Sequence, residues 1–271
     1  MADADTKTLT TRHGPMLALA GDTYVTGSLE AYGEFSRAEW DLFAQLVKPG
    51  MTVVEVGANI GAHSVALARA CAPGPLYLFE PQQRVFQILC ANLALNDIRN
   101  AIAYPEACSD RPGFVVVPPL DYGAQGNFGG IAVQPEGAGR LGLKVRATPL
   151  DSLELAACHL IKIDAEGFEP QVLRGAAETI AKFRPLLYVE NDRPAQQQEV
   201  ISLIAGMGYR LYWHIPPLFS SDNFNGRADD IFGAVASINM LCLPAESGGA
   251  VAGHQPIDPE NWTSPIRPRV G

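Results

Sequence analysis

Residues 52–61, TVVEVGANIG, run from a β-branched stretch directly into two glycines four positions apart. A stretch such as TVVEV carries apolar side chains on both faces and needs cover on both, the condition of a strand inside a parallel sheet. The glycines let the chain turn sharply and bring its backbone close to a ligand. A helical pattern follows from Ile60 to Cys71 and is stopped by APG at 72–74. A strand, a tight turn and a helix in this order form one unit of a doubly wound sheet, whose ligands bind beyond the carboxyl ends of the strands.

The alternation continues along the chain. LYLFE (76–80) reads as a second strand, and Pro81 opens a helix with Val85, Ile88, Leu89 and Leu93 on one face. AIAYPEA (101–107) reads as a third strand. Between Ser109 and Thr148, Gly- and Pro-rich turns surround the short β runs FVVVPP and GGIAV, the pattern of an inserted flap. LIKID (160–164), a helix from Pro170 to about Phe183, and LLYVE (186–190) resume the series. Asp192 is placed to cap a helix that opens at Pro194 and closes at Gly208. YRLYWHI (209–215) and SINMLCL (237–243) complete the sheet. The expected fold is α/β, a Rossmann-like doubly wound and mostly parallel sheet with a β-rich insertion. The expected organisation is an N-terminal extension and lead-in helix (1–50), a single domain (51–243) with a flap (109–148) and a lid loop (214–237), and a loosely held tail (244–271).

Composition narrows the function classes. The formal net charge of -9 argues against a phosphate backbone as the main partner, so nucleic acid is not expected. Cys71, Cys90, Cys108, Cys158 and Cys242 are widely spaced with no C-x-x-C pair, which reads as reduced thiols rather than disulfides or a zinc site. The first residues, MADADTKTLTTRHGPMLALAG, carry acids where a signal peptide needs positive charge. Nothing approaches the ~20 apolar residues that span a bilayer. A soluble, cytoplasmic protein with no membrane partner is the expectation.

The ligand of the bend is narrowed by two details. The spacing G-A-N-I-G differs from the dinucleotide fingerprint, and no Gly-Lys-Ser/Thr is present to make a P-loop. Glu80 ends the second strand, where an acid commonly accepts hydrogen bonds from ribose hydroxyls. Glu55 stands beside the bend, where a carboxylate repels a pyrophosphate and suits an amine or a sulfonium. S-adenosylmethionine has a ribose, an amine and a sulfonium, and no phosphate. An NAD-dependent oxidoreductase stays open as an alternative, as does a non-catalytic nucleoside- or partner-binding module.

The segments VVEVGANIGAHSVALA, FEPQ, CANLALN, IKIDAEGFEPQVLRGA and RPLLYVEND resemble the FkbM family of SAM-dependent methyltransferases, in the family's order between about Tyr32 and Leu243. IKIDAEGFEPQVLRGA is the most specific of them. The resemblance implies the class I methyltransferase fold and O-methylation of a hydroxyl on a small-molecule or glycan acceptor, such as a polyketide or sugar. Carried over by residue, it implies a cofactor site of Glu55, Gly57, Ala58, Asn59 and Gly61, with Glu80 on the ribose. It also places Ser109 and Asp110 at the adenine edge, Asp164 beside the methionine part, and Glu34 as a group that closes over the cofactor.

A hydroxyl acceptor wants a base within hydrogen-bond reach. Glu166, Glu190 and His214 are the catalytic candidates, with Asp164 a fourth strand-end group. Asp164, Glu190 and Asn191 also resemble the metal site of catechol-type O-methyltransferases, which makes Mg²⁺ or Mn²⁺ a candidate cofactor. Against that stands Glu190, where the catechol-type pattern has Asp. SDNFNGRADD (221–230) lacks the carboxylates of a calcium loop and reads as a lid, with Phe219, Phe224 and Phe232 for apolar contact and Asn223 and Asn225 for substrate hydroxyls.

Overall fold

The structure is a computed structural model describing residues 5–135, 141–249 and 251–265. Parts of the expected extension, flap and tail (1–4, 136–140, 250 and 266–271) lie outside the described residues. The chain enters through a hairpin of β1 (Thr6–Thr11) and β2 (Gly14–Leu19), followed by α1 (Val25–Tyr32) and α2 (Arg37–Leu46). Then come β3 (Val53–Val56), α3 (Ser64–Cys71), β4 (Leu76–Phe79), α4 (Gln83–Leu95) and β5 (Ala101–Tyr104). β6 (Ala107–Cys108), β7 (Gly113–Val117), β8 (Gln134–Pro135) and β9 (Leu143–Thr148) form a separate small sheet in the order β6-β9-β7-β8. The alternation resumes with β10 (Leu160–Ile163), α5 (Glu169–Arg174), α6 (Ala177–Phe183), β11 (Leu186–Glu190), α7 (Gln197–Gly206), β12 (Tyr209–His214), β13 (Asn239–Pro244) and β14 (Gln255–Ile257).

Among the described residues the main sheet has the order β14-β12-β13-β11-β10-β3-β4-β5. β11, β10, β3, β4 and β5 are mutually parallel, while β13 runs antiparallel between β11 and β12. From β3 the chain winds outward to β4 and β5, and from β10 it winds the other way to β11. The strand order therefore reverses between β3 and β10, the place where such sheets open a crevice. This is the Rossmann-like, mostly parallel sheet expected from the sequence. Every residue of β3 and β10 is buried. On one face Leu67, Leu89 and Phe43 cover Val53 and Leu160; on the other Val172, Ile180 and Ile201 cover Val54 and Ile161. Each such aliphatic side chain contributes about 1.5–3 kcal/mol on burial, so the centre of the sheet is its most firmly held part.

Several expectations are corrected. The helix from Pro170 to Phe183 is two helices, because Gly175 brings its backbone so close to Ser109 that a Cβ would lie 1.9 Å from that carbonyl oxygen. The second helix is started by Asp151, whose carboxylate accepts the N–H groups of Glu178 and Thr179. Asp192 does not cap a helix: residues 194–196 form a turn, α7 starts at Gln197, and Arg193 draws the Asp192 carboxylate to 3.2 Å. GGIAV forms no strand; it lies between β7 and β8, and β8 starts directly after it. The tail is not loose at residues 255–257, where β14 adds to the sheet beside β12 and buries Ile257. The hairpin at the start is stapled to α4, where Asn92 bonds both backbone groups of Leu17 and Asn96 bonds the Pro15 carbonyl.

Gly57 leaves β3 with φ +80°, and a Cβ there would lie 1.7 Å from the carbonyl oxygen of Asp164. Gly206, inside α7, has nothing within 4 Å of such a Cβ. Gly57→Ala is therefore expected to destabilise the fold by about 2–4 kcal/mol through strain and backbone overlap. Gly206→Ala is expected to be neutral or to stabilise by up to about 1 kcal/mol. Urea midpoints of the two variants against the parent check both.

Candidate active site

The bend after β3 is held by the acid at the end of β4. Glu80 is buried, and its two oxygens accept the N–H groups of Asn59 (3.0 Å) and Gln82 (2.8 Å). Gly57, Asn59 and Gly61 all take positive φ, which delays the start of α3 to Ser64. Burial pushes the Glu80 carboxyl up to about 7, against the pull of those two N–H donors. Each carboxylate oxygen keeps a second lone pair free, so Glu80 can brace the bend and still accept a hydroxyl from a ligand.

A row of buried charge crosses from the bend to the next strand. Glu55 and Lys162 are register partners on β3 and β10 and both are buried. Lys162 Nζ stands 3.6 Å from Glu55 Oε1 and 3.3 Å from Asp164 Oδ2. The other Glu55 oxygen accepts the Ser64 hydroxyl at 2.6 Å. Burial lowers the Lys162 pKa, but Asp164, Glu55 and Glu39 outweigh it and hold the ammonium above its ordinary value. Glu39 on α2 accepts the Ser36 hydroxyl at 2.9 Å, and burial lifts its carboxyl to about 7. His63, buried and 3.6 Å from Glu39, is driven well below its ordinary pKa by burial and by Lys162.

At the far end of the row, Asp164, Glu166 and Glu190 each offer a carboxylate oxygen, all within 4.8 Å of one another. The turn after β10 makes this possible. Glu166 and Gly167 take positive φ, and Glu169 folds back to accept the N–H groups of Ala165 and Gly167. Burial first, then Asp164, pushes Glu166 up to about 8, while Arg193 opposes the shift by pairing with it. Burial, Asp164 and Glu166 likewise hold Glu190 well above the ordinary carboxylate range, and Glu190 Oε2 is buried with no hydrogen-bond partner among the described residues. The expected metal set fits only in part. Asn191 turns into the core toward the Gln197 carbonyl and Met240, and Glu166 already carries Arg193 as an internal cation.

These groups line one cavity of about 520 Å³. Of the expected site residues, Glu55, Gly57, Ala58, Asn59, Glu80, Asp164, Glu166 and Glu190 reach it. Gly61, Glu34, Ser109, Asp110 and His214 do not. Gly61 shapes the turn, where a Cβ would meet Leu89 at 2.8 Å. Glu34 is buried in ion pairs with Arg12 and Arg37 and accepts the Phe224 N–H, so it ties the 220s loop to the N-terminal segment. Ser109 is packed behind Gly175 and Asp110 is exposed; the cavity wall there is Glu106, Ala107 and Cys108. His214 binds the Tyr188 hydroxyl at 2.8 Å, and burial lowers its pKa to about 4.

The loop residues expected to hold substrate are also spent elsewhere. Asn223 binds Ser220 and Arg227, and Asn225 binds the Glu30 and Ala31 carbonyls. The loop meets the cavity instead through Leu218 and residues 235–239. Sequence reading missed Lys162, Glu39, His63 and Asn239, all of which line the cavity. Lys162 left a signal, a charge in the middle of the apolar run LIKI. Glu39, His63 and Asn239 left none, because only tertiary packing brings them there.

The family model of the methyltransferase FkbM domain matches residues 55–211. No curated protein matches the chain. Among solved structures the chain is similar to precorrin-6y C5,15-methyltransferase from Geobacter metallireducens GS-15, at 7% identity and TM-score 0.48 over 76% of this chain and 89% of that one. It is similar to methyltransferase FkbM from Methylobacillus flagellatus KT at 15% identity and TM-score 0.44, over 75% of this chain and half of that one (50%). An rRNA methylase from Streptococcus thermophilus shares 10% identity and TM-score 0.42, over 76% of this chain and 95% of that one. No helix among the described residues is long and apolar enough to cross a membrane.

The buried acids give the ligand-free protein a pH signature. Glu39 and Glu80 titrate near 7 and Glu166 near 8 when folded, against 4.5 for the free group. Above pH 4.5 the folded chain keeps protons the unfolded chain has lost, so these groups lower stability as pH rises to their folded values. His13 and His214 titrate near 4 and His63 lies well below 6.5, so histidines lower stability only as pH falls below 6.5. Between pH 6.5 and 8 the acids act alone. Urea unfolding of the ligand-free protein is expected to show stability falling steadily across that interval.

Proposed function

Because the chain belongs to the FkbM methyltransferase family, we propose that it transfers the methyl group of S-adenosylmethionine to a hydroxyl oxygen of a sugar, polysaccharide or secondary-metabolite acceptor. One observation carries the oxygen acceptor: Glu166 and Glu190, two acids with raised pKa values, share a cavity with the glycine bend and Glu80. The class I fold supports the cofactor, and the cofactor when bound supplies a methyl group on a positively charged sulfur, open to in-line displacement by the acceptor oxygen.

The chain's own part is to bind, align and take a proton. Glu80 accepts ribose hydroxyls while its N–H partners keep the bend shaped around the nucleoside. Asp164 faces the cavity beside Lys162 and offers negative charge to the cofactor's cationic end. Glu190 accepts the hydroxyl proton, since its Oε2 has no competing donor among the described residues. Glu166, held by Arg193, orients the acceptor next to it. The carboxylates repel one another until positive charge arrives, so binding the cationic cofactor lowers their pKa values and prepares the base. This reading needs no metal ion: Arg193 already supplies a cation to the cluster, and Asn191 faces the core. The net charge of -9 supports a neutral or cationic acceptor over nucleic acid, and five free cysteines support a cytoplasmic setting.

Two variants test separate halves of the proposal. Glu80→Ala is expected to weaken S-adenosylmethionine binding at least about tenfold by removing a doubly braced acceptor from a buried site. Unchanged affinity by calorimetry would sink the ribose assignment. Glu190→Gln is expected to cut methyl transfer to a panel of polyhydroxylated acceptors by about 10²–10⁴-fold while cofactor affinity holds. The parent rate should rise with pH until the cluster is ionised, and the variant should lose that rise. A retained profile would move the base elsewhere.

A further inference from the structure

We infer that Lys162 receives the carboxylate of the cofactor's methionine end, and that the Lys162–Asp164 pair reads that end as a zwitterion. The inference rests on the proposed use of S-adenosylmethionine. Lys162 stands on the central strand β10 between two residues of 0% exposure, Ile161 and Ile163, and is itself 3% exposed. Burying an ammonium in such a place carries a desolvation cost that an uncharged methionine filling the same space would not. The charge is therefore retained for an interaction.

Its internal partners do not use it up. An ammonium has three N–H donors. Among the described residues the nitrogen makes a hydrogen bond at 3.3 Å to Asp164 and an ion pair at 3.6 Å to Glu55, both longer than the 2.7–2.9 Å typical of charge-assisted bonds. Glu55 is meanwhile satisfied by Ser64 at 2.6 Å. Lys162 lines the cavity, which leaves it a donor for a ligand there. His63 lines the same cavity, and its Nε2 is buried with no hydrogen-bond partner among the described residues.

Position agrees with chemistry. Glu80, the ribose acceptor, closes β4, and the bend at Gly57 lies between it and β10. A cofactor with its ribose on Glu80 and its body over the bend extends its amino-acid end toward β10. There Lys162 and Asp164, 3.3 Å apart with the Asp164 side chain 38% exposed, present opposite charges side by side. A methionine end carries an ammonium and a carboxylate on one carbon, the matching pair. A ligand with only the amine would leave the Lys162 donor unmet.

Calorimetry on the full chain tests this with defined ligands. The parent is expected to bind decarboxylated S-adenosylmethionine, which keeps the amine and sulfonium, at least about tenfold more weakly than S-adenosylmethionine. Lys162→Met is expected to weaken S-adenosylhomocysteine at least about tenfold and 5′-methylthioadenosine, which lacks the amino-acid end, by less than about threefold, with Lys162→Arg restoring part of the loss. Equal affinity of the parent for the first two ligands overturns the inference. So does an equal loss of both nucleosides in Lys162→Met, which would mark a purely structural lysine. Should that variant not fold, the parent's ligand series decides alone. If the parent binds neither S-adenosylmethionine nor S-adenosylhomocysteine, the cofactor reading falls first and this inference falls with it.

Discussion

The register between β3 and β10 is the constraint on which the rest of the site depends. It sets Glu55 opposite Lys162 and Val56 opposite Ile163, so the two strands end together. The next residues then meet as backbone: the Asp164 N–H binds the Val56 carbonyl at 3.0 Å, and Gly57 passes so close to Asp164 that no side chain fits between. A slip of one residue between the strands would put Lys162 and Glu55 on opposite faces of the sheet and leave their buried charges unpaired. The buried ion pair thus selects one register, and that register opens the crevice where the strand order reverses.

Three peripheral segments wall the crevice into a cavity. α1, α2 and the turn between them bring Val25, Phe35 and Glu39, the insertion brings Asn127, residues 129–131 and Val133, and the 215–238 loop brings Leu218 and residues 235–238. Their attachments are polar and specific. Glu34 joins Arg12, Arg37 and the Phe224 backbone, while Gln82 binds the Phe128 carbonyl and the Tyr122 hydroxyl. The loop is clasped to the N-terminal segment, so the elements that would enclose an acceptor are tied to one another as well as to the sheet.

Most of the framework was legible because its signals are local. Apolar runs located β3, β10 and β11 within a residue or two, and the glycine spacing located the bend. Strand-end acids were legible too: Glu55, Glu80, Asp164, Glu166 and Glu190 all reach the cavity. What misled were positions whose roles are set by partners distant in sequence. His214 has a favourable ordinary pKa but is occupied by Tyr188, 26 residues away. Glu34 stands close to the domain's start yet serves Arg12 and a loop about 190 residues on. Gly175 breaks a helix whose sequence pattern runs on, because it meets Ser109.

The order of elements, the parallel centre of the sheet, the bend and its acid follow from the chain itself, since side-chain periodicity and glycine conformation act over a few residues. The tertiary structure decided the electrostatics. A lysine in an apolar run is an anomaly until Glu55, Asp164 and Glu39 are seen around it, and three carboxylates spread over 27 residues become one acid cluster only when β10 and β11 lie side by side. Burial and charge proximity are properties of the packed molecule, and pKa values follow them rather than residue type.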